Sequence, residues 1–327
     1  MSARLPTPDA RVPDGTGGGA IPSGSATADR AELTRALAAL AEEPREEHRR
    51  LAELLDLPSA PEPGVYTELL LMNLYPYASV HLGPEGMLGG EARDRVAGFW
   101  RALGMSPPAE PDHLGALLGL LAAVVEREAE EGDPARRTLL ARARSALVWE
   151  HLLPWTPALL QRVREMGDAY YAGWADLLLE LLREERDALT VDRSALPVHL
   201  AEAPALPDPR VEVDPADAPD PAGAEGDGRT GEAFLRALLS PVRSGMILTR
   251  RDLARCAETV GLGMRQGERL YILKALLAQD AAATLGWLAA EARDQAARHR
   301  ADPGWDPIIK TFWEGRAEAA ARLLEEL

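Results

Sequence analysis

Glu110-Pro111-Asp112-His113-Leu114-Gly115-Ala116-Leu117-Leu118-Gly119-Leu120-Leu121-Ala122-Ala123-Val124-Val125 is the stretch on which the fold turns. Within it Leu114, Leu117, Leu118, Leu121 and Val125 return at steps of three and four, the spacing that stacks side chains on one face of an α-helix. Pro107, Pro108 and Pro111 punctuate the junction just before it.

The same period continues on both sides. Toward the N-terminus, Leu33, Leu37 and Leu40 form a stripe that Pro44 interrupts, and Leu51, Leu54 and Leu55 carry a shorter helix ending at Leu57-Pro58. Val65, Leu69, Leu70 and Met72 make another, broken at Tyr75-Pro76 because the residue before proline is pushed out of the α region. A glycine-rich loop over 82–90 follows, then an amphipathic helix marked by Val96, Phe99, Trp100 and Leu103. Toward the C-terminus come Leu140, Leu147 and Leu152, stopped by Pro154. Pro157 sits in the first turn of a helix bearing Leu160, Val163 and Met166. Tyr170, Tyr171, Trp174, Leu177, Leu178 and Leu181 close the set, an aromatic stripe read as packing. No stretch alternates with period two, so the expected fold class is all-α.

Character changes over 195–230, which is rich in Pro, Gly, Asp and Glu and has no stripe, the composition of a solvated linker. Helicity resumes near Glu232. Thr249 with Asp252 spells a capping box ahead of Leu253, Cys256 and Val260, with Gly261 as a stop. Leu270, Leu273, Leu276 and Leu277 follow; Asp280 caps a helix bearing Leu285 and Leu288, and Asp306-Pro307 opens the last, with Ile309, Phe312 and Trp313. The expected organisation is a disordered tail over 1–28, a helical domain over 29–194, an acidic Pro/Gly-rich linker over 195–230 and a smaller C-terminal helical extension over 231–327.

Composition narrows the function. Hydrophobic residues make up 46% of the 327 but aromatics only 5%, a balance that suits helix-on-helix packing. Fifty-two acidic against 36 basic residues give a net charge of −16, which repels phosphate backbones and excludes a nucleic-acid partner in the absence of a long basic patch. The single cysteine, Cys256, falls on an apolar stripe and reads as a buried thiol, so neither disulfides nor cysteine-built metal sites are expected. No run reaches the ~18 apolar residues of a membrane span, and the first 30 residues lack the basic-then-apolar pattern of an export signal. Arg49-Arg50, Arg136-Arg137 and Arg250-Arg251 read as internal pairs on charged helix faces. A cytoplasmic location is expected.

Signatures of catalysis are missing: there is no HExxH helix, P-loop or GxSxG elbow. The six histidines, His48, His81, His113, His151, His199 and His299, include no pair four residues apart, so no metal or cofactor is expected. A triad drawn from Ser79, His81, Asp112 and His113 can be written down, and a small helical hydrolase using His113 and Asp112 is the outlying reading.

Three segments carry a resemblance. Tyr75-Pro76-Tyr77-Ala78-Ser79-Val80-His81, running into the glycine loop, is similar to the Tyr–x–Ser–Val–Tyr run of TorD-like chaperones, the superfamily of DmsD and NarJ, with His81 where a second aromatic often stands. Glu110-Pro111-Asp112-His113 resembles the Glu–Pro–Asp–His signature of that family, and His151-Leu152-Leu153-Pro154-Trp155 its His–Leu–x–x–Trp element. The order and spacing fit, over about residues 31–190. One departure is that Leu117 and Gly119 stand where many relatives carry further glutamates.

The resemblance implies a TorD-like helical bundle, not an enzyme, that binds the twin-arginine leader or the catalytic subunit of a molybdopterin oxidoreductase until cofactor insertion is complete. A helical adapter that holds a mature subunit without reading a leader is the neighbouring alternative, and a monomer or a swapped dimer is expected. A basic pair followed by an apolar segment calls for an acidic rim beside an apolar groove. Glu110 and Asp112 would face the guanidinium groups. Tyr75, Tyr77, Trp100, Leu152 and Trp155 would line the groove, with Ser79, His81 and His113 beside them. Each has a plainer reading: Asp112 as a helix cap, His113 as a satisfied core histidine, Trp100 and Trp155 as core, and Gly83, Gly86, Gly89 and Gly90 as positive-φ turn residues.

Overall fold

The computed structural model describes residues 24–58, 60–211 and 227–327. All regular elements among them are helical. The first half comprises α1 (Gly24–Ala39), α2 (Glu46–Leu54), α3 (Pro63–Tyr66), α4 (Ala78–Leu82), α5 (Gly90–Ala102), α6 (Leu114–Glu130), α7 (Pro134–Ala146), α8 (Thr156–Met166) and α9 (Ala169–Asp187). A short α10 (Val198–Ala201) precedes the second half, which holds α11 (Asp227–Leu238), α12 (Pro241–Ser244), α13 (Arg250–Val260), α14 (Arg269–Gln279), α15 (Ala281–Ala301) and α16 (Pro307–Glu326). Two segments, Thr67–Leu71 after α3 and Leu147–Leu152 after α7, are wound as π-helix.

α6 is the axis of the first half. Leu114, Leu117, Leu118, Leu120, Leu121, Val124 and Val125 are all buried, so its first three turns are apolar nearly all round, as a central helix must be. α1 packs along it, and Trp174 of α9 donates its indole N–H to Leu37 O at 3.1 Å, fixing α9 against α1. In the second half α15 and α16 form a long hairpin. Ala289, Ala292 and Ala296 on one side and Ala317, Ala320 and Ala321 on the other are buried, small residues that allow close approach.

The caps legible in the sequence are present. Thr249 and Asp252 form the reciprocal box, Gly261 ends α13 with φ +71°, and Asp280 and Asp306 accept from Ala283 N and Ile308 N. Cys256 is buried, and burial pushes its thiol up to about 11.

Three boundaries differ from expectation. The tail expected over 1–28 lies outside the described residues as far as residue 23, but α1 already begins at Gly24, because helix-forming alanines extend it ahead of the first leucine of the stripe. The helix read over Val65–Met72 is one α turn followed by π-helix, and between the break at Tyr75-Pro76 and the glycine loop lies α4, which no stripe announced.

The third concerns the linker. Of 195–230, residues 212–226 lie outside the described residues, while 195–211 are packed rather than solvated. Leu200 is buried in the first-half core and Leu206 packs on the second. Arg316 and Arg243 donate to the carbonyls of Ala203 and Ala205 along the way. The extension has an apolar cluster of its own, around Phe234, Leu238, Leu253, Cys256, Leu273 and Leu288, but Val242, Ile247, Trp305, Ile309 and Trp313 join the cluster that surrounds α6. A buried Arg162–Asp252 ion pair at 2.7 Å joins α8 to α13.

Candidate functional site

Glu110-Pro111-Asp112-His113 meets the loop Tyr75–Ser79 in a two-way hydrogen-bonded joint. Leu114 N donates to Pro76 O at 2.8 Å and Ala78 N donates to Asp112 O at 3.0 Å, so Tyr77 and His113 face each other as an isolated antiparallel bridge. The four residues of the motif then do four different things. Glu110 is exposed and its Oε2 accepts from the Tyr77 hydroxyl at 2.8 Å. Pro111 O accepts from the Trp100 indole N–H at 3.4 Å. Asp112 Oδ2 accepts from Ser79 N at 3.0 Å, in the first turn of α4. His113 Nδ1 accepts from Gly115 N at 3.1 Å and so caps α6, which leaves its proton on Nε2.

Asp112 is therefore a cap, but of α4 rather than of the helix that follows it in sequence. At 2% exposure its carboxylate is unavailable to a leader's guanidinium groups, which corrects the role expected for it. The same correction applies to other expected groove residues. Ser79, Leu152 and Trp155 are fully buried. The Ser79 Oγ is spent on Gly89 N (3.2 Å) and the Trp155 indole N–H on His151 O (2.8 Å). Trp100 is buried apart from a small edge. His81 is 1% exposed, stacked on Trp155 at 5.1 Å, with Nε2 donating to Tyr75 O at 2.9 Å and Nδ1 without a partner. Burial pushes His81 down to about 4, so it is neutral at physiological pH. Ser79 and His81 are core positions because the segment after Tyr77 winds inward as α4.

What remains on the surface is Glu110 with half-buried Tyr75, Tyr77 and His113. The Tyr77 ring stands edge-on to His113 at 4.9 Å. Burial, reinforced by the hydrogen bond to Glu110, raises the Tyr77 hydroxyl far above its usual range. Burial lowers His113, partly offset by Glu110, Glu42 and Asp112. Glu42 and Glu43, both exposed at the end of α1, act with Glu110 on neighbouring Tyr66. The result is an acid-edged aromatic face held rigidly by caps on two helices. Sequence reading missed Tyr66, Glu42 and Glu43, which lie far from the motif in sequence.

The acid–base pair imagined for a hydrolase does not form. The Asp112 carboxylate points to Ser79 N, and His113 Nδ1 is occupied by Gly115 N. Among the described residues no cluster of three or more His, Cys, Asp or Glu side chains could hold a metal, and no helix is long and apolar enough to cross a membrane. The Glu–Pro–Asp–His face is also distinct from a cleft of about 300 Å³ nearby, which Val65, Glu68, Leu69, Asn73, Met166, Asp168 and Arg251 line.

His151 lies in the second π segment, against Phe99 (4.8 Å) and His199 (5.8 Å). Burial, then the neighbouring His199, lowers His151 to about 3. His199, assigned by composition to the linker, packs here through α10.

Residues 31–161, which include all ten expected site residues, match the family model described as nitrate reductase delta subunit. Among curated proteins none matches the chain.

Proposed function

Through residues 31–161 the chain belongs to the nitrate reductase delta subunit family, the NarJ/TorD-like molybdoenzyme assembly chaperones, and from that premise we propose that it holds the precursor of a molybdopterin oxidoreductase through the face around Glu110. The bound element is the twin-arginine leader, the apo catalytic subunit, or both, and the complex persists in the cytoplasm until cofactor insertion. The observation that carries this reading is the exposed Glu110 carboxylate beside half-buried Tyr77 and His113, with Glu42 and Glu43 adding to the acidic edge. A carboxylate already oriented by a tyrosine hydroxyl presents its second oxygen to a guanidinium fork at little entropic cost. The aromatic edges give the adjoining apolar residues a surface. No bond is made or broken.

Isothermal titration of the full chain against a synthetic leader, and separately against the apo-enzyme, tests the proposal. Saturable binding to at least one is expected, with leader binding weakened about tenfold in Glu110→Gln. Absence of saturable binding to both rejects it.

A further inference from the structure

Of the thirteen residues of α7 only Ser145 is buried. The helix packs along the end of α6 and enters the interior only where it passes into the π-helical segment at Leu147. Leu139, in its middle, is 62% exposed. Helices in this fold otherwise present apolar stripes to a neighbour, so a leucine this bare on a helix this long lacks a partner within the chain.

The charges of the hairpin are divided between its two helices. In a chain of net charge −16, α7 carries Arg136, Arg137, Arg142 and Arg144 and no acid, whereas the end of α6 and the turn after it carry Glu126, Glu128, Glu130 and Glu131. Neither set is placed to stabilise its own helix. The glutamates sit at the negative end of the α6 macrodipole, and Arg136 and Arg137 sit at the positive end of that of α7. Contacts within the chain match only part of this charge. Glu126 pairs with Arg35, and Glu128 with Arg144 at 3.6 Å. Among the described residues Glu130 has no ion pair, and Arg136 reaches only the cap residue Asp133, at 3.9 Å.

Between the two helices lies a concavity of about 480 Å³, lined by Arg127, Glu130, Glu131, Arg136, Leu139 and Leu140. These side chains therefore share one face, with an apolar floor and both signs of charge on the rim. An anionic lipid surface or a purely acidic peptide would set its charge against Glu130 and Glu131 as well as on the arginines. A face that carries both signs can instead match itself. With a two-fold axis running along the hairpin between its helices, α7 of each copy lies over α6 of the other. Because α6 ends and α7 begins at the same turn, Arg136 of one copy then meets Glu130 of the other, and the two Leu139 side chains fill the middle. A face about 20 Å long and two helices wide has on the order of 400 Å² per copy, the low end for an interface.

We propose that the α6–α7 hairpin around Leu139 is where two copies of this chain associate, as a weak isologous dimer in which no helix is exchanged. None of the residues around Glu110 takes part.

Sedimentation equilibrium of the full chain from about 5 to about 500 μM tests it, since an interface this small implies a dissociation constant on the order of 10–100 μM. Concentration-dependent dimerisation is expected, weakened by added salt. Arg136→Glu alone and Glu130→Arg alone each set like charges opposite one another twice in the dimer, and each is expected to weaken it at least about tenfold. An equimolar mixture of these two variants sets opposite charges in both places and is expected to regain the affinity of the unaltered chain within about threefold. Leu139→Ser weakens association as well. All three positions are exposed, so the variants melt with the unaltered chain, which separates a lost interface from a lost fold. A monomer throughout the concentration range overturns the proposal. So does a dimer that both charge variants leave unchanged, as an exchange of helices elsewhere would give, or a mixture that dimerises no better than its components. A chain that stays monomeric but binds tetraglutamate or phosphatidylserine vesicles through Arg136 also overturns it, and assigns the face to an acidic partner.

Discussion

At Asp112 the carboxylate accepts from Ser79 N–H while the backbone carbonyl accepts from Ala78 N–H, so one residue secures the first turn of α4. Its neighbour Glu110 touches only a tyrosine hydroxyl at the surface. The two acids of one motif therefore separate experimentally. Asp112→Ala leaves a buried N–H unsatisfied and is expected to cost about 1–3 kcal/mol in urea unfolding, whereas Glu110→Gln stays within about 0.5 kcal/mol and acts on leader binding instead. Local caps such as Thr249–Asp252 were legible because both partners lie within one turn. The role of Asp112 was not, since its partner is 33 residues away. A second expectation concerns pH. Burial lowers His81 and His299 to about 4 and His151 to about 3, against a usual value of 6.5. The unfolded chain takes up these protons first, so the stabilising neutral forms are fully present above pH 6.5 and lose ground as pH falls from there toward 4. At pH 5.5 the loss is on the order of 1 kcal/mol for each histidine. Urea unfolding compared at pH 7.5 and 5.5 reads it, and His81→Phe should flatten the difference.

Elements long enough to show a period were visible in the sequence; elements of a single turn were not. α4, α10 and α12 hold four or five residues each, too few to repeat a spacing of three and four, and their positions are set by what they pack against. α12 shows the constraint. It ends at Gly245, whose φ is +73° and where a Cβ would lie 2.2 Å from Ala317 N on α16. Gly104 after α5 has the same φ of +73° but open space around it. Alanine at the two positions thus separates backbone strain from steric exclusion. Gly104→Ala is expected to cost about 1 kcal/mol from the left-handed conformation alone. Gly245→Ala must also push α12 off α16, and a loss of about 3 kcal/mol or more in the same unfolding assay is expected. Near-equal losses would mean that α16 yields easily. The glycine loop after α4 divides the same way: Gly86 has positive φ and lies against Ser240, whereas Gly83 has φ −71° and is small because Ser79 O occupies the space of its Cβ.

The composition break near residue 195 reads as a solvated linker between two helical regions; among the described residues each region has its own apolar cluster, and the second also sends Val242, Ile247, Trp305, Ile309 and Trp313 into the first. Proline and acid content report how a segment is solvated in isolation; they do not report that Leu200 and Leu206 have cores to enter on either side. Across the seam the decisive polar contact is Arg162, which donates to both carboxylate oxygens of Asp252 at 2.7 and 2.8 Å while pairing with Glu165. Arg255 and Arg298 extend the network to Glu291. Opposite charges here are matched, so removing one partner leaves a buried charge uncompensated. Arg162→Leu is expected to destabilise the whole chain by about 3 kcal/mol and still give a single transition, because apolar and ionic contacts both cross the seam. The same reasoning predicts the outcome of cutting the chain. With a specific protease site placed between residues 212 and 226, complete cleavage should leave both fragments in one peak on size exclusion, since Trp313 still donates to Pro154 O and Ser240 to Gly83 O across the seam. Dissociation of the fragments at neutral pH without denaturant would mean that the tether, not the shared core, holds the halves together. Cleavage followed by co-elution, lost in Arg162→Leu at moderate urea, would place the buried ion network among the forces that join them.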